Sequence, residues 1–448
     1  MKRISIPDRT RPPLSGISVA DEQLSLVHET LTLSNGLPLH VLAGDGPEVV
    51  RLDLAVPGGI RYQRQALAAV FTARLIKEGT RTTPGPRIDE ALDYYGSYLE
   101  ASAERDQAVV SLFAPRRFFH EVLPLFAEVW QDAVFPRDML EVEKRHQHQE
   151  YLVNDRRVAW VARQHFGSLL FGQDHPYGHY PSAGDFALLE PEVLLEHLER
   201  CYASTQAFLI LSGNVDPGVV DQVGKAFGHR ALLSPGTSHA VSDQGQGAGP
   251  GDFRVFRPGT LQTALRIGRT IMPRSHPDFM GMQFLVSLLG GYFGSRLMKN
   301  IREDKGYTYG IGAFIQAYQE AASLVVSTEV GTEVEDLALD EVRKEMQRLR
   351  TEPVGAQEME LVRNYILGSL QRSMDGPMSR AERLRGFLEA GEPPDQFVRF
   401  KRFLQTISAE DVLRLAHQYL DPDCMTILRV GETENIGVGN IPFEAEGV

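Results

Sequence analysis

Cysteine is nearly absent from this chain, which has only Cys201 and Cys424 in 448 residues. Two thiols cannot build a disulfide scaffold, and their scarcity fits a reducing, cytoplasmic compartment. Long apolar runs are missing as well. No stretch approaches the roughly 18 residues that a membrane span requires. The opening Met1-Lys2-Arg3-Ile4-Ser5-Ile6-Pro7-Asp8-Arg9 leads into no hydrophobic segment, so no signal peptide is expected. Positive charge is also in short supply: 46 Lys and Arg face 59 Asp and Glu, for a net charge of -13. Phosphate backbones are bound by clustered cations, so nucleic acid is not an expected partner. An acidic surface suits basic peptides instead. What the chain does have is apolar content, 42% of residues, enough for sizeable cores. Its length suits two domains of about 200 residues each.

Residues 1–24 are rich in Pro, Arg and Ser and read as an N-terminal arm. A second break, dense in Gly, Ser and Pro, runs from Ser234-Pro235-Gly236 to Gly249-Pro250-Gly251 and reads as a linker over about 231–252. The expected domains are therefore 25–230 and 253–448. Because the break falls near the midpoint, an internal duplication is worth testing. Leu194–Gly213 places an amphipathic helix, a tyrosine, a polar turn, an apolar strand and a glycine in order. Leu413–Gly431 repeats that plan, and Gly213 and Gly431 lie 218 residues apart. Phe135-Pro136 and Glu352-Pro353, each followed by a helical pattern, give an offset of 217. Two anchors with nearly one offset indicate two copies of one unit.

Both periodicities occur in each copy. Val50, Leu52, Leu54 and Val56 alternate with Arg51, Asp53 and Ala55, predicting a half-buried strand. Leu67, Val70, Phe71 and Leu75 have helical spacing that stops at Gly79. Longer helices are predicted over about 117–132, 137–160, 333–349 and 355–372. Helices following hairpin-like strands predict an α+β fold, two sandwiches each with an antiparallel sheet and helices on one face.

The most specific stretch is Leu289-Gly290-Gly291-Tyr292-Phe293-Gly294-Ser295-Arg296-Leu297 through Arg302-Glu303-Asp304-Lys305-Gly306-Tyr307-Thr308-Tyr309-Gly310. Its glycines lack the Gly-Lys-[Ser/Thr] ending of a phosphate-binding loop and follow a helical pattern, so they read as a structural turn. The stretch closely resembles the second-domain signature of the pitrilysin/insulinase family of zinc metallopeptidases, which includes the mitochondrial processing peptidases. Asn35-Gly36-Leu37, Val56-Pro57-Gly58-Gly59 and His175-Pro176-Tyr177-Gly178 resemble further family segments, and the resemblance implies a duplicated clamshell architecture.

In that family an inverted motif, H-x-x-E-H, ends shortly before a Gly-Thr pair and supplies two zinc ligands with a general base between them. Here Gly79-Thr80 is present, but the matching positions are Val70, Ala73 and Arg74. The third family ligand falls on Glu150. One carboxylate without two imidazoles cannot hold catalytic zinc, and the chain alone is expected to be inactive. His146 with Glu150, or His175 with His179, leaves a displaced metal site open. The family's substrate-contacting Arg and Tyr, seven residues apart, match Arg302 and Tyr309. A guanidinium and a phenol can both donate to a developing oxyanion. The resemblance thus implies no cofactor in this chain, zinc in a homologous partner, and a peptide substrate contacted by Arg302 and Tyr309 in trans. The competing expectation is a homodimeric peptide-binding or assembly module without hydrolysis.

Overall fold

The structure is a computed structural model that describes residues 19–233 and 246–432. The first sheet comprises β1 (Glu29–Thr32), β2 (Pro38–Ala43), β3 (Val49–Val56), β4 (Tyr98–Ala103), β5 (Ala108–Pro115) and β6 (Phe208–Gly213), ordered β1-β2-β6-β3-β5-β4. The second comprises β7 (Gly251–Phe256), β8 (Gln262–Ile271), β9 (Ile311–Ala317), β10 (Ala322–Gly331) and β11 (Thr426–Gly431), ordered β7-β11-β8-β10-β9. Each sheet is antiparallel apart from one parallel pair, β2 with β6 and β7 with β11. The repeated segments occupy equivalent places. β6 and β11 are both interior strands, each preceded by an amphipathic helix, Pro191–Cys201 and Ala409–Tyr419. Proline opens the first helix, and Ser408 caps the second by accepting from the Asp411 N–H at 3.1 Å.

One face of the first sheet, with Val50, Leu52, Leu54 and Val56, packs on its own helices around the fully buried Trp130. That indole stacks on Phe227 at 5.1 Å and donates to the Tyr202 carbonyl at 2.8 Å. The opposite face is where β3 departs from expectation. It is not half-buried, because Arg51 is 6% exposed and Asp53 and Ala55 are fully covered. The cover is the helix Gly376–Glu389 from the second half, whose Ala381 and Leu384 join Leu42, Ala55, Phe208 and Ile210 in one core. Arg51 bridges the layers, donating to Asp53 at 2.7 Å and to Glu382 at 2.8 Å.

The exchange is reciprocal. The helix expected over 137–160 ends at Asn154 and is followed by a second, Val158–Phe171, which crosses to the other half. There Val161, Phe166 and Leu169 pack on Ala264, Val325, Leu428 and Val430 of the second sheet. The break is fixed where Asp155 accepts from Arg257 at 3.0 Å. The distal part of the expected N-terminal arm also docks: Val19 and Leu24, with Leu26 just beyond it, are buried in the second half's core, and Asp21 pairs with Lys401 and Arg402. Residues 1–18 of that arm and 234–245 of the expected linker lie outside the described residues.

Candidate functional site

A cleft of about 540 Å³ opens between the two halves. One wall is the helix Ala68–Leu75, which carries the degenerate motif positions. It begins at Leu67, which has left-handed backbone (φ 69°), unique for a non-glycine among the described residues. That conformation costs an L-residue about 1–2 kcal/mol. Leu67 and Val70 face the cleft, and Phe314, Gln316, Val325 and Ser327 of β9 and β10 line the opposite wall.

The His175-Pro176-Tyr177-Gly178 loop forms a seam between these walls. Tyr177, 1% exposed, donates its hydroxyl to Asp106 at 2.6 Å and accepts from Arg61 at 3.2 Å. Its ring stacks on Tyr318 of the second half at 4.3 Å. Asp106 also accepts from the Gln319 N–H at 2.9 Å. Burial, and then the bond to Asp106, hold the Tyr177 phenol far above its ordinary range. A side chain at Gly178 would meet the Gly172 carbonyl oxygen at 2.0 Å, so the loop leaves no room for one.

The residues at the family's metal positions do not fit zinc. Val70 and Ala73 have no lone pair to offer, and Arg74 brings a permanent cation. Arg74 reaches from its helix to Glu143 on the helix Arg137–Asn154 at 3.3 Å. An ion pair thus spans two helices that a shared metal would bridge. Glu143 precedes Glu150 by two helical turns on one face, a spacing readable in the sequence. Glu150 itself is exposed.

The other candidate ligands do not converge. His146 lies 3.8 Å from Glu143, whereas His148 packs on Phe186. His175 accepts from the Tyr177 N–H at 3.0 Å, and the His179 carbonyl accepts from Arg105 at 3.0 Å. No group of three His, Cys, Asp or Glu side chains is placed to hold a metal ion among the described residues. His165 and His197 are buried inside the fold, and burial pushes each down to about 4, leaving them neutral at pH 7.

Arg302 and Tyr309 lie away from the cleft lining. Arg302 sits on the helical segment Met298–Asp304 with its guanidinium 4.7 Å from the centre of the Phe293 ring. Tyr309 is 93% exposed just before β9, on a turn held by Thr308, which donates to the Glu329 carbonyl at 2.7 Å. The glycine-rich turn is structural, since a side chain at Gly290 would meet the Ala313 nitrogen of β9 at 2.5 Å.

Two family models match the chain: "Insulinase (Peptidase family M16)" over residues 42–173 and "Peptidase M16 inactive domain" over 189–366. An uncharacterized zinc protease of Bacillus subtilis, YmxG, is 20% identical over 363 residues, covering 79% of this chain and 86% of that protein. The mitochondrial-processing peptidase subunit beta of Blastocladiella emersonii is 21% identical over 429 residues, covering 90% and 88%. The crystal structure of a peptidase M16 inactive domain from Pseudomonas fluorescens superimposes with a TM-score of 0.80 at 21% identity, covering 91% of this chain and 98% of that one.

Proposed function

The chain belongs to the insulinase family of peptidases, M16, and on that premise we propose that it is a non-catalytic subunit that holds peptide for a zinc-bearing homologous partner. The carrying observation is the motif helix, where Val70, Ala73 and the Arg74–Glu143 ion pair stand at the positions of ligands and general base. Arg302 and Tyr309 remain, and the exposure of Tyr309 supports contact with a substrate held by another chain. A relative that is itself named a subunit, the processing-peptidase beta chain, supports an assembly. Residues 25–230 and 253–448 would then be the two repeated domains. The cysteines, Cys201 buried and Cys424 half-buried, are both free, which supports a reducing, cytoplasmic setting.

The test is reconstitution. The purified chain should bind no stoichiometric zinc and cleave nothing, yet raise the peptidase activity of a homologous chain carrying an intact H-x-x-E-H motif. Arg302→Ala or Tyr309→Phe in this chain should then lower kcat/KM of the pair by about a hundredfold or more, the usual effect of deleting one oxyanion donor. Unchanged activity with both variants would refute the in-trans role.

A further inference from the structure

The net charge of -13 suggests basic peptides, yet the cleft between the halves has the opposite character. Three arginines line it, Arg105, Arg163 and Arg266, against one acidic residue, Glu104. Arg266 is the informative one. It projects from β8, is 8% exposed, and makes its hydrogen bonds to backbone carbonyls, to Ala159 at 3.1 Å, Leu265 at 3.0 Å and Thr328 at 3.5 Å. Among the described residues no carboxylate lies within ion-pair distance of it. Burial lowers its proton affinity below the ordinary guanidinium range, Glu329 opposing this from farther away and Arg163 adding to it.

The internal duplication supplies a control. Arg266 pairs in register with Leu428 and Ser327, as Asp53 in the first sheet pairs with Ile210 and Ser111. These are equivalent places under the exchanged helices. At Asp53 the buried charge is neutralised by Arg51 at 2.7 Å. At Arg266 the corresponding counter-charge is missing, and the side chain borders open space. Its carbonyl acceptors satisfy the N–H groups but carry no counter-charge, and a half-buried cation with none favours an anion brought from outside. Arg163, exposed and without an ion pair among the described residues, stands beside it on the crossing helix. Arg105 is pinned by the carbonyls of Pro176 and His179, which leaves its positive charge uncancelled.

We propose that this cleft is a carboxylate-recognition site, in which Arg266, Arg163 and Arg105 engage an acidic group of a bound peptide. A guanidinium pairs bidentately with a carboxylate, and the half-closed setting strengthens each bond relative to water. Gln316 and Ser327 on β9 and β10 of the same sheet add neutral donors, and Leu67, Val70 and Phe314 take the apolar part of the chain. The inference rests on the peptide-holding reading above and names its selectivity. The group can be a Glu or Asp side chain or the peptide's C-terminal carboxylate.

Isothermal titration of the full chain with four N-acetylated heptapeptides tests it. One has a central Glu and an amidated end, one a central Gln and a free C-terminal carboxylate, one a central Gln and an amidated end, and one a central Lys. At least one carboxylate peptide should bind about ten- to a hundredfold more tightly than the neutral and Lys peptides, and which one does so identifies the source. Arg266→Met and Arg163→Ala should each abolish that preference. Arg266→Met should also raise the melting temperature of the unliganded chain, since it removes an uncompensated buried charge, which shows that the variant folds. Equal binding of the carboxylate and neutral peptides, or a preference that survives both substitutions, overturns the site and leaves peptide holding intact. Binding of none of the four overturns the site and the peptide-holding reading together, while the Arg302 and Tyr309 assay stands apart.

Discussion

Replacing Tyr177 with Phe tests whether the seam between the halves depends on one buried hydroxyl. The substitution keeps the ring, so stacking on Tyr318 at 4.3 Å and the Arg61 guanidinium 5.6 Å from the ring centre should survive. What disappears is the bond donated to Asp106 at 2.6 Å and the one accepted from Arg61 at 3.2 Å. A hydrogen bond to a charged group contributes about 1.5–3 kcal/mol net. Asp106 keeps the Gln319 N–H at 2.9 Å and the Arg61 cation at 3.9 Å, which limits the loss. We therefore expect about 2 kcal/mol of destabilisation in urea unfolding followed by circular dichroism. Tyr177→Ala should be worse by a further 2 kcal/mol or so, because a buried aromatic leaves a cavity. Tyr309→Phe, at a 93% exposed position, is the control and should stay within about 0.5 kcal/mol. A Tyr177→Phe chain as stable as that control would refute the claim that this hydroxyl, through Asp106, supports the seam between the halves.

Glu389 provides a pH-dependent counterpart. Burial, opposed by Arg385 at 3.3 Å and reinforced by Asp106 and Glu104, raises its carboxyl from 4.5 to about 7. The folded chain then holds more protons than the unfolded chain between those values. Stability from this group falls as pH rises through that window, by up to about 3 kcal/mol. Glu389→Gln should therefore stabilise the chain at pH 8 and hardly at all at pH 4.5; equal effects at both would contradict the assignment. Restoring the motif with Val70→His, Ala73→Glu and Arg74→His, beside the existing Glu150, should give zinc retained through dialysis and measurable by metal analysis. Failure to retain zinc would mean that more than the three substitutions separates this chain from a metal site.

Much of the architecture was legible in the sequence because it is written in local periodicity. The helices at 119–132, 335–351 and 356–372 nearly coincide with their predicted spans, and the repeat of 218 residues places β6 and β11 in equivalent positions. The loss of the motif at Val70, Ala73 and Arg74 is likewise a matter of residue identity alone. The reading of β3 failed for a different reason. Alternation marks which residues share a face, but it carries no information on what arrives from elsewhere to cover that face. Arg51 and Asp53 looked solvated because their cover, Gly376–Glu389, lies more than 300 residues away.

What the sequence alone determined, then, is the duplication, the element types, the family resemblance and the loss of the zinc motif at Val70, Ala73 and Arg74. Each of these depends on side-chain identity or short-range spacing. Only the tertiary structure decided that the halves exchange helices, that Arg74 pairs with Glu143, and that three arginines line one cleft in an acidic protein. Those are contacts between distant segments. Net charge and helical period are sums or averages along a chain, and neither fixes which charges the folded chain brings face to face.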